Sequence, residues 1–215
     1  MSFWESKDRL KDKENSLWVE RYRPVSLDTY IGNEFLIRKI KGFINANDVP
    51  HLLFHGKAGT GKTTLARIIA METDSDYLVI NASDENNVET VRNKITSFAS
   101  TGGFSSFKLL ILDEFDYMTH NAQAILRHLM EKFSGHCRFI MTCNYLEKII
   151  DPIQSRCQIF HIQPPTKEDI ANQVEWMLQQ EGITYEKKTL DRIIDASHPD
   201  IRKVINTFQL NSHDG

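Results

Sequence analysis

The sequence predicts an α/β protein with a five-stranded parallel sheet, helices on both faces of the sheet, and a small helical domain after it. Between residues 51 and 162, short and nearly continuous apolar runs alternate with amphipathic stretches. Such alternation is typical of a parallel sheet, because helices cover and bury both of its faces. A glycine-rich loop, Gly56 to Thr63, joins the first run to the first amphipathic stretch, and only helical patterns follow Pro164-Pro165.

The region before the sheet predicts a loose leader and one helix. Residues 1–16 are rich in charge, as flexible termini often are. Tyr22-Arg23-Pro24 opens an extended stretch, since the residue before a proline avoids the helical region. Asn33 is a candidate N-cap for an amphipathic helix that runs to about Asn47.

The remaining elements follow in order along the chain. The predicted strands cover residues 51–55, 77–80, 108–112, 138–142 and 159–162, and the helices between them cover 62–72, 88–99 and 121–133. Further helices cover 167–180, 187–196 and 200–210, and Thr166 with Asp169 resembles a capping box. The Pro164-Pro165 pair is the predicted boundary between an α/β domain, residues 17–164, and a helical domain, residues 165–215.

The composition excludes several classes of protein. The 215 residues carry 26 Lys and Arg against 29 Asp and Glu, a net charge of −3, which argues against a generally polybasic nucleic-acid binder but allows a local basic track. Cys137, Cys143 and Cys157 are too few and too irregularly spaced for a zinc site or a disulfide framework, so we expect buried free thiols. Neither a secretory signal nor a membrane-length run is visible, and we expect a soluble intracellular protein.

The glycine-rich loop is a complete phosphate-binding motif. Gly56-Lys57-Ala58-Gly59-Thr60-Gly61-Lys62-Thr63 lies between a predicted strand and a predicted helix, the context that such a motif requires. Its glycines let backbone N–H groups turn toward phosphate oxygens, and the following helix adds the positive end of its dipole. Lys62 would reach the β- and γ-phosphates, and Thr63 would place its hydroxyl on Mg²⁺. The loop therefore predicts a site for a nucleoside triphosphate with Mg²⁺.

A second motif follows the third predicted strand, where Asp113 and Glu114 end an apolar run. Ligands of open α/β sheets bind at the carboxyl ends of the strands. Asp113 would hold Mg²⁺ through water, and Glu114 would polarise the attacking water as a general base. Glu114 thus turns a nucleotide-binding site into a predicted hydrolytic site. A surface acid or a cap explains Asp116 at least as well as a catalytic role.

Two further polar residues are less specific on their own. Asn144 follows the fourth predicted strand, where a neutral amide could bond the γ-phosphate or position water, although asparagine there is usually a turn residue. Arg156 could stabilise transition-state charge on the phosphate of a neighbouring subunit. A solvated surface arginine would explain Arg156 without any such role.

These pieces, in this order, resemble the AAA+ ATPases, and in detail the ATPase subunits of sliding-clamp loaders. The resemblance covers about Leu17 to Leu210. It rests on Trp18-Val19-Glu20-Arg21-Tyr22-Arg23-Pro24, Ile31-Gly32-Asn33, Asp113-Glu114-Phe115-Asp116, Asn121-Ala122-Gln123-Ala124-Ile125-Leu126-Arg127, Ser155-Arg156-Cys157 and Pro199-Asp200-Ile201-Arg202-Lys203. Phe115 stands where many cellular members carry Ala, and the last segment resembles that of tailed-phage clamp loaders.

The resemblance implies a role for each matched residue. The adenine end of the site would be lined by Val19, Glu20, Arg21, Tyr22 and Ile31. The phosphates would be held by Gly56, Gly59, Thr60, Gly61, Lys62, Thr63 and Thr64. Asn144 would be the first sensor, and Arg202, from the helical lid, would be the second sensor and touch the γ-phosphate in cis. Arg156 would act in trans on the ATP of the next subunit.

The resemblance also implies the activity and its partners. ATP binding and hydrolysis would open a sliding clamp and load it onto primer-template DNA during replication, and clamp and DNA would stimulate the ATPase. The chain would work with other loader subunits in a heteropentamer. It would act in the cytoplasm or nucleus, or in the cytoplasm of the infected host if a phage encodes it. Arg92 and Lys94 would contact the DNA backbone without sequence specificity, and the region of Tyr117-Met118-Thr119 would lie toward the clamp.

The resemblance further implies a third, helical collar domain, which would begin where the given sequence ends at Gly215, so that either the sequence is a fragment or the collar is supplied elsewhere.

Three rival interpretations stand beside the resemblance. Another AAA+ DNA-processing ATPase, such as a branch-migration motor or a replication initiator, should lack the Tyr-Arg-Pro opening together with Ser-Arg-Cys. Glu114 and Arg156 argue against a regulatory subunit that binds ATP without turnover. The net charge of −3 and the complete ATP motif argue against a non-specific DNA-binding protein.

Overall fold

The computed structural model describes residues 17–73, 75–84, 88–101 and 107–212. They form two compact units, one covering Val25–Pro164 and the other made of the described residues up to Pro24 and from Pro165 onward. The predicted leader, residues 1–16, lies outside the described residues. Residues 17–24, which the sequence pattern grouped with the α/β domain, cluster instead with the C-terminal helices.

The described helices and strands are named in chain order. The helices are α1 (Trp18–Arg21), α2 (Glu34–Asn45), α3 (Lys62–Glu72), α4 (Val88–Ser100), α5 (His120–Lys132), α6 (Asp151–Gln154), α7 (Lys167–Gln180), α8 (Lys187–Ser197) and α9 (Ile201–Ser212). The strands are β1 (Leu52–His55), β2 (Tyr77–Asn81), β3 (Lys108–Asp113), β4 (Cys137–Cys143) and β5 (Gln158–His161). No helix within the described ranges has both the length and the apolar content of a membrane span.

The five strands form one parallel sheet in the order β2-β3-β4-β1-β5. The predicted five-stranded parallel sheet is therefore confirmed. β1 lies between β4 and β5, and its last residue, His55, pairs in register with Cys143 and with His161. Toward the opposite edge strand of the sheet, Asn81 at the end of β2 pairs with Asp113 at the end of β3. Because all strands run in one direction, these terminal residues lie along a single edge of the sheet.

Each face of the sheet packs against its own helices. Successive side chains of a strand point to opposite faces, so Leu110 and Leu112 join one apolar cluster and Leu109 and Ile111 join another. The first cluster includes Val91 and Ile95 of α4 and Leu126 and Met130 of α5, and the second includes Leu36 and Ile40 of α2 and Leu65 and Ile68 of α3. Each fully buried aliphatic side chain contributes about 1.5–3 kcal/mol. The expected helical cover on both faces is present.

The long elements agree with the prediction, and the short ones were missed. Asn33 caps α2 as expected, because its Oδ1 accepts from the backbone N–H groups of Phe35 at 2.9 Å and Leu36 at 3.3 Å. The helix ends at Asn45 rather than Asn47, whose φ of 48° lies in the left-handed region. Four short elements were missed, because three or four residues are too few to show a helical periodicity. They are the one-turn helices α1 and α6 and the 3₁₀ turns at 115–117 and 146–148.

The helical unit is described by itself. Its apolar interior contains Trp18 of α1, Val174 of α7, Leu190 and Ile194 of α8, and Phe208 of α9. The Trp18 backbone N–H donates to Gln209 Oε1 at 2.8 Å. The capping box expected at the start of α7 is present, since Thr166 Oγ1 accepts from the Asp169 N–H at 3.1 Å and Asp169 accepts from the Thr166 N–H at 3.2 Å.

Candidate nucleotide-binding site

The phosphate-binding loop connects β1 to α3 and requires glycine at several positions. Gly56 has a φ of 151°, Gly59 of 75° and Gly61 of 93°, all in a region that side chains disfavour. A Cβ at Gly56 would lie 2.4 Å from the Ile162 carbonyl oxygen, and a Cβ at Gly61 would lie 3.1 Å from the Tyr30 ring. Gly61 is the N-cap of α3 and makes no side-chain cap hydrogen bond, and the N-terminus of a helix is a favourable place for an anion.

Lys62 joins the loop to β4. Its side chain is buried, and Nζ donates to the carbonyl oxygens of Gly56 and Lys57 and to Oδ1 of Asn144, each at 2.8 Å. Asn144 follows the last residue of β4 and stands 82 positions away in sequence. The structure thus brings the lysine of the phosphate motif and the predicted first sensor into direct contact.

Thr63 and Asp113 form a second contact at the same edge. Thr63 Oγ1 donates to Asp113 Oδ1 at 2.7 Å, and the Thr142 hydroxyl donates to that same oxygen. A hydroxyl beside a carboxylate supplies the hard oxygen ligands that Mg²⁺ prefers, and Mg²⁺ usually keeps several waters beside such a pair. These two residues therefore fit a magnesium ion, and their roles as its ligands stay predictions.

Glu114 follows β3 in an uncommon backbone conformation. Its φ of 53° and ψ of 41° lie in the left-handed region, which costs a non-glycine residue about 1–3 kcal/mol. Its backbone N–H donates to Thr142 Oγ1 at 3.2 Å. Thr142 therefore bonds both carboxylate residues of the motif, the first through its hydroxyl proton and the second through its hydroxyl oxygen. Backbone strain of this kind is concentrated at functional sites.

Thr142 and Gln123 are residues that the sequence reasoning missed. Thr142 is fully buried near the end of an apolar strand, and a lone hydroxyl among apolar neighbours is the signal that could have identified it. Gln123 is fully buried on α5, and its amide donates to the carbonyl oxygens of Met118 at 3.1 Å and Lys148 at 2.9 Å. Its Oε1 accepts from the Ile150 N–H at 2.9 Å. Gln123 thereby connects the segments that follow β3 and β4.

Two histidines stand beside the loop. His55 and His161 stack with ring centroids 4.8 Å apart, and they border an open depression of about 430 Å³ with Gly56, Lys57, Ala58, Asn144 and Tyr145. Burial lowers the pKa of His55, and the nearby His161 and Lys62 lower it further. These effects disfavour the protonated form of His55.

Asp116 corrects one expectation. The sequence allowed a surface acid or a cap at least as readily as a catalytic role, but Asp116 is only 6% exposed, and within the described part of the chain neither carboxylate oxygen has a hydrogen-bond partner. Asp116 lies in the 3₁₀ turn Phe115–Tyr117, where the preceding Phe115 is fully buried and carries the backbone into the interior. Burial raises the pKa of the neighbouring Cys143 to about 12, and the Asp116 charge adds to that shift. All three cysteines are free thiols, with Cys137 and Cys143 buried and Cys157 half-buried.

The residues predicted to line the adenine end belong to different units. Ile31 lies in the sheet unit, whereas Val19, Glu20, Arg21 and Tyr22 lie in α1 or directly after it, in the helical unit. Arg21 Nη1 lies 2.5 Å from the Glu181 carboxylate, which also accepts from the Tyr22 hydroxyl. Burial, and then Glu181, raise the pKa of Tyr22 to about 12. Arg202 is exposed at the start of α9 in the same unit. Their nucleotide-binding roles stay predictions.

Arg156 is paired within its own unit rather than freely solvated. Its guanidinium donates to the Pro152 carbonyl oxygen and to the carboxylate of Glu131 on α5. Both side chains are partly exposed at the surface. The role of Arg156 on a neighbouring subunit stays a prediction.

The proposed DNA-contacting residues are exposed on α4. Arg92 borders a groove of about 490 Å³ between α4 and α5, together with Asn93, Thr96, Ile125, His128, Leu129 and Lys132. Lys94 is exposed on the same helix. In the segment expected to face a clamp, Tyr117 is 60% exposed but Met118 is buried. Thr119 caps α5 by accepting from the Ala122 N–H at 3.3 Å.

Comparison with known proteins agrees with this site. The model of the ATPase family associated with various cellular activities (AAA) matches residues 52–164, which include the phosphate loop, Asp113, Glu114 and Asn144. The match covers more than half of the chain. The chain therefore belongs to the AAA family of ATPases.

Within that family the curated relatives define the type of subunit more closely. The chain is 46% identical over 203 residues to the replication factor C small subunit of Thermofilum pendens, covering 91% of this chain and 62% of the relative. It is 41% identical over 221 residues to that of Haloarcula marismortui, covering 100% of this chain and 67% of the relative. The resemblance to clamp-loader ATPase subunits is thereby confirmed, for a chain that spans about two thirds of the relatives' length.

Solved structures support the fold. The Thermotoga maritima RuvB Holliday junction branch migration motor superposes with a TM-score of 0.73 and 21% identity, over 86% of this chain and 63% of that one. At that identity the likeness shows the shared fold alone. It does not favour a branch-migration activity over the other activities that this fold supports.

Proposed function

We propose that this chain is an ATPase subunit of a sliding-clamp loader, in which binding and hydrolysis of ATP drive clamp opening and loading onto primer-template DNA. The observation that carries the proposal is the bonded set at the edge of the sheet. Lys62 contacts Asn144, and Thr142 links Asp113 to Glu114. The identity of 41–46% to replication factor C small subunits supports the type of machine.

Nucleotide binding would use the loop and Lys62. The N–H groups at the start of α3 and the Lys62 ammonium would bind the phosphate oxygens, because both present donors with positive potential. Thr63 and Asp113 would hold Mg²⁺, which neutralises charge that develops on the phosphates during transfer. The base would be recognised by Val19 to Tyr22 and by Ile31.

Hydrolysis would depend on Glu114. Its carboxylate would accept a proton from the attacking water, while Asn144 orients that water or the γ-phosphate. Thr142 would hold Glu114 in register with Asp113 through the hydrogen bond to the Glu114 N–H, at 3.2 Å. Arg156 of a neighbouring subunit would complete the transition state, and Arg202 would sense the γ-phosphate from the helical lid.

The proposed partners are the clamp, primer-template DNA and further loader subunits. Arg92 and Lys94 would contact DNA phosphates, and His128 and Lys132 flank the same groove as Arg92. The exposed Tyr117 ring, with Lys148 Nζ 5.9 Å from its centroid, offers an apolar and cationic surface for the clamp. Such a subunit would work where its host replicates DNA, in the cytoplasm or the nucleus.

The test is the rate of phosphate release by the complete loader, with and without its clamp and primer-template DNA. We expect the clamp and the DNA each to stimulate the wild-type rate. The Glu114→Gln substitution should reduce turnover by about 100-fold or more while ATP still binds. Glu34→Gln, an exposed acid at the start of α2, is the control and should leave the rate unchanged.

The outcomes separate the alternatives. Stimulation by neither clamp nor DNA would refute the loader and favour another AAA+ DNA-processing ATPase. Turnover that survives Glu114→Gln would remove the general base from the mechanism. If the wild-type complex binds ATP and never hydrolyses it, the chain would be a regulatory subunit.

A further inference from the structure

Glu181 receives two hydrogen bonds from the segment that precedes the sheet unit. It is the C-cap residue directly after α7, and its carboxylate accepts from Arg21 Nη1 at 2.5 Å and from the Tyr22 hydroxyl. The side chains of Arg21 and Glu181 are 14% and 21% exposed, so the pair is largely shielded from water. Partly buried, charge-assisted bonds of this kind are stronger than exposed surface pairs.

The position of Glu181 is unfavourable by local rules. A carboxylate at the carboxyl end of a helix meets the negative end of the helix dipole, where a basic side chain would be favoured. Gly182, with a φ of 69°, ends the helix without any need for an acid at position 181. A residue that breaks a local rule is expected to have a compensating contact elsewhere. Here the contact is with Arg21 and Tyr22, about 160 positions away.

The segment needs such an anchor because it cannot hold its own shape. Helix α1 has four residues, far fewer than an isolated helix requires. Its backbone is held by the buried Trp18, whose N–H donates to Gln209. The Tyr22 ring stands edge-on to Trp176, with centroids 5.5 Å apart at 82°. Glu181 binds the polar ends of both Arg21 and Tyr22.

We propose that Glu181 is a positioning residue for base recognition, which holds Arg21 and Tyr22 in the orientation that contacts the adenine end of ATP. This inference rests on the proposed function, which gives Arg21 and Tyr22 that role. Glu181 itself touches no part of the nucleotide. Its loss weakens the contribution of the base to binding and leaves the contribution of the phosphates unchanged.

The test compares two competitors for a fluorescent ATP analogue bound to the full-length protein with Mg²⁺. One competitor is ATP, and the other is inorganic tripolyphosphate, which lacks the base. Glu181→Ala should weaken ATP binding by about 10-fold, the effect of losing a charge-assisted pair, and change tripolyphosphate binding by less than twofold. Glu181→Gln keeps the shape and one acceptor, so it should recover part of the loss.

Glu168→Ala removes an exposed acid from the other end of α7 and is the matched control, with no expected effect on either ligand. Equal weakening of ATP and tripolyphosphate in Glu181→Ala would overturn the inference, since it would indicate a general structural role. Unchanged ATP binding in Glu181→Ala would overturn it as well. If Glu181→Ala does not fold, the same comparison in Glu181→Gln decides. A wild type that binds no ATP would overturn the proposed function and the inference together.

Discussion

At the scale of single residues, the site depends on a hydroxyl that no motif records. Thr142 donates to Asp113 Oδ1 and accepts from the Glu114 N–H, so one side chain connects the proposed metal ligand to the proposed base. The left-handed conformation of Glu114 needs such support, because the chain would otherwise relax toward a more populated conformation. The position of the base is thus set from a neighbouring strand.

Replacing Thr142 with Val keeps the volume and removes the hydroxyl. We expect the free energy of unfolding to fall by about 1–3 kcal/mol, because the partly buried Glu114 N–H loses its acceptor. We also expect kcat to fall by about 10-fold or more, because Glu114 is no longer fixed. Urea unfolding and phosphate release measure the two effects.

Thr142→Ser retains the hydroxyl and is the control, with most of the wild-type kcat preserved. A loss of kcat in Thr142→Ser as large as that in Thr142→Val would show that the hydroxyl alone does not account for the effect, and an unchanged kcat in Thr142→Val would contradict the role of the hydroxyl.

At the scale of elements, the loop between β1 and α3 illustrates how backbone geometry makes a binding site. Gly61 ends the loop in the left-handed region and directly precedes Lys62, the first residue of α3. The Tyr30 ring fills the space where a side chain at Gly61 would lie. The loop therefore requires glycine at position 61, and its geometry suits the binding of an anion at the start of α3.

Gly61→Ala should lower the free energy of unfolding by about 1–2 kcal/mol, because alanine is strained at a φ of 93° and its Cβ would lie 3.1 Å from Tyr30. Affinity for ATP with Mg²⁺ should fall with it, since the N–H groups turn away from the phosphates. Calorimetric titration and thermal unfolding measure these effects.

Gly42→Ala is the matched control within α2, where nothing lies within 4 Å of the added Cβ. The free energy of unfolding of that variant should rise by about 0.5–1 kcal/mol, because alanine is the better helix former. Unchanged ATP affinity in Gly61→Ala would contradict the binding role of the loop backbone.

At the scale of the whole molecule, charge is distributed unevenly. The net charge is −3, yet Arg92 and Lys132 border one groove between α4 and α5. A local basic surface on a weakly acidic protein suits contacts with a phosphate backbone that must be released again, because such contacts weaken steeply with salt.

Arg92→Gln in the complete complex should weaken binding of primer-template DNA equally for different sequences. The logarithm of the association constant decreases with the logarithm of the salt concentration, and the steepness of that decrease should become smaller by about 0.9 for each phosphate contact of Arg92 that is removed. Binding titrations at several salt concentrations measure the slope. Arg38→Gln, exposed on α2, is the control. A slope that Arg92→Gln leaves unchanged would remove Arg92 from the DNA surface.

Local patterns predicted most of the fold and the centre of the site. The helices 62–72 and 167–180 begin and end where the periodicity and the caps predicted, because these signals lie within the elements themselves. The phosphate loop was recognisable for the same reason. The contacts of Glu181, Thr142 and Gln123, and the burial of Asp116, depend on residues far away in sequence. No local pattern carries that information, because it arises only when the elements pack.

The Lys62 ammonium has one further consequence for affinity. An ammonium group has three protons, and Lys62 directs them to the oxygens of Gly56, Lys57 and Asn144. A phosphate oxygen that takes one of these protons must displace an acceptor that already holds it. Binding of a nucleotide at Lys62 would therefore be a substitution, and the affinity would measure the difference between two sets of partners. The amide of Asn144 is among the groups that this substitution can release.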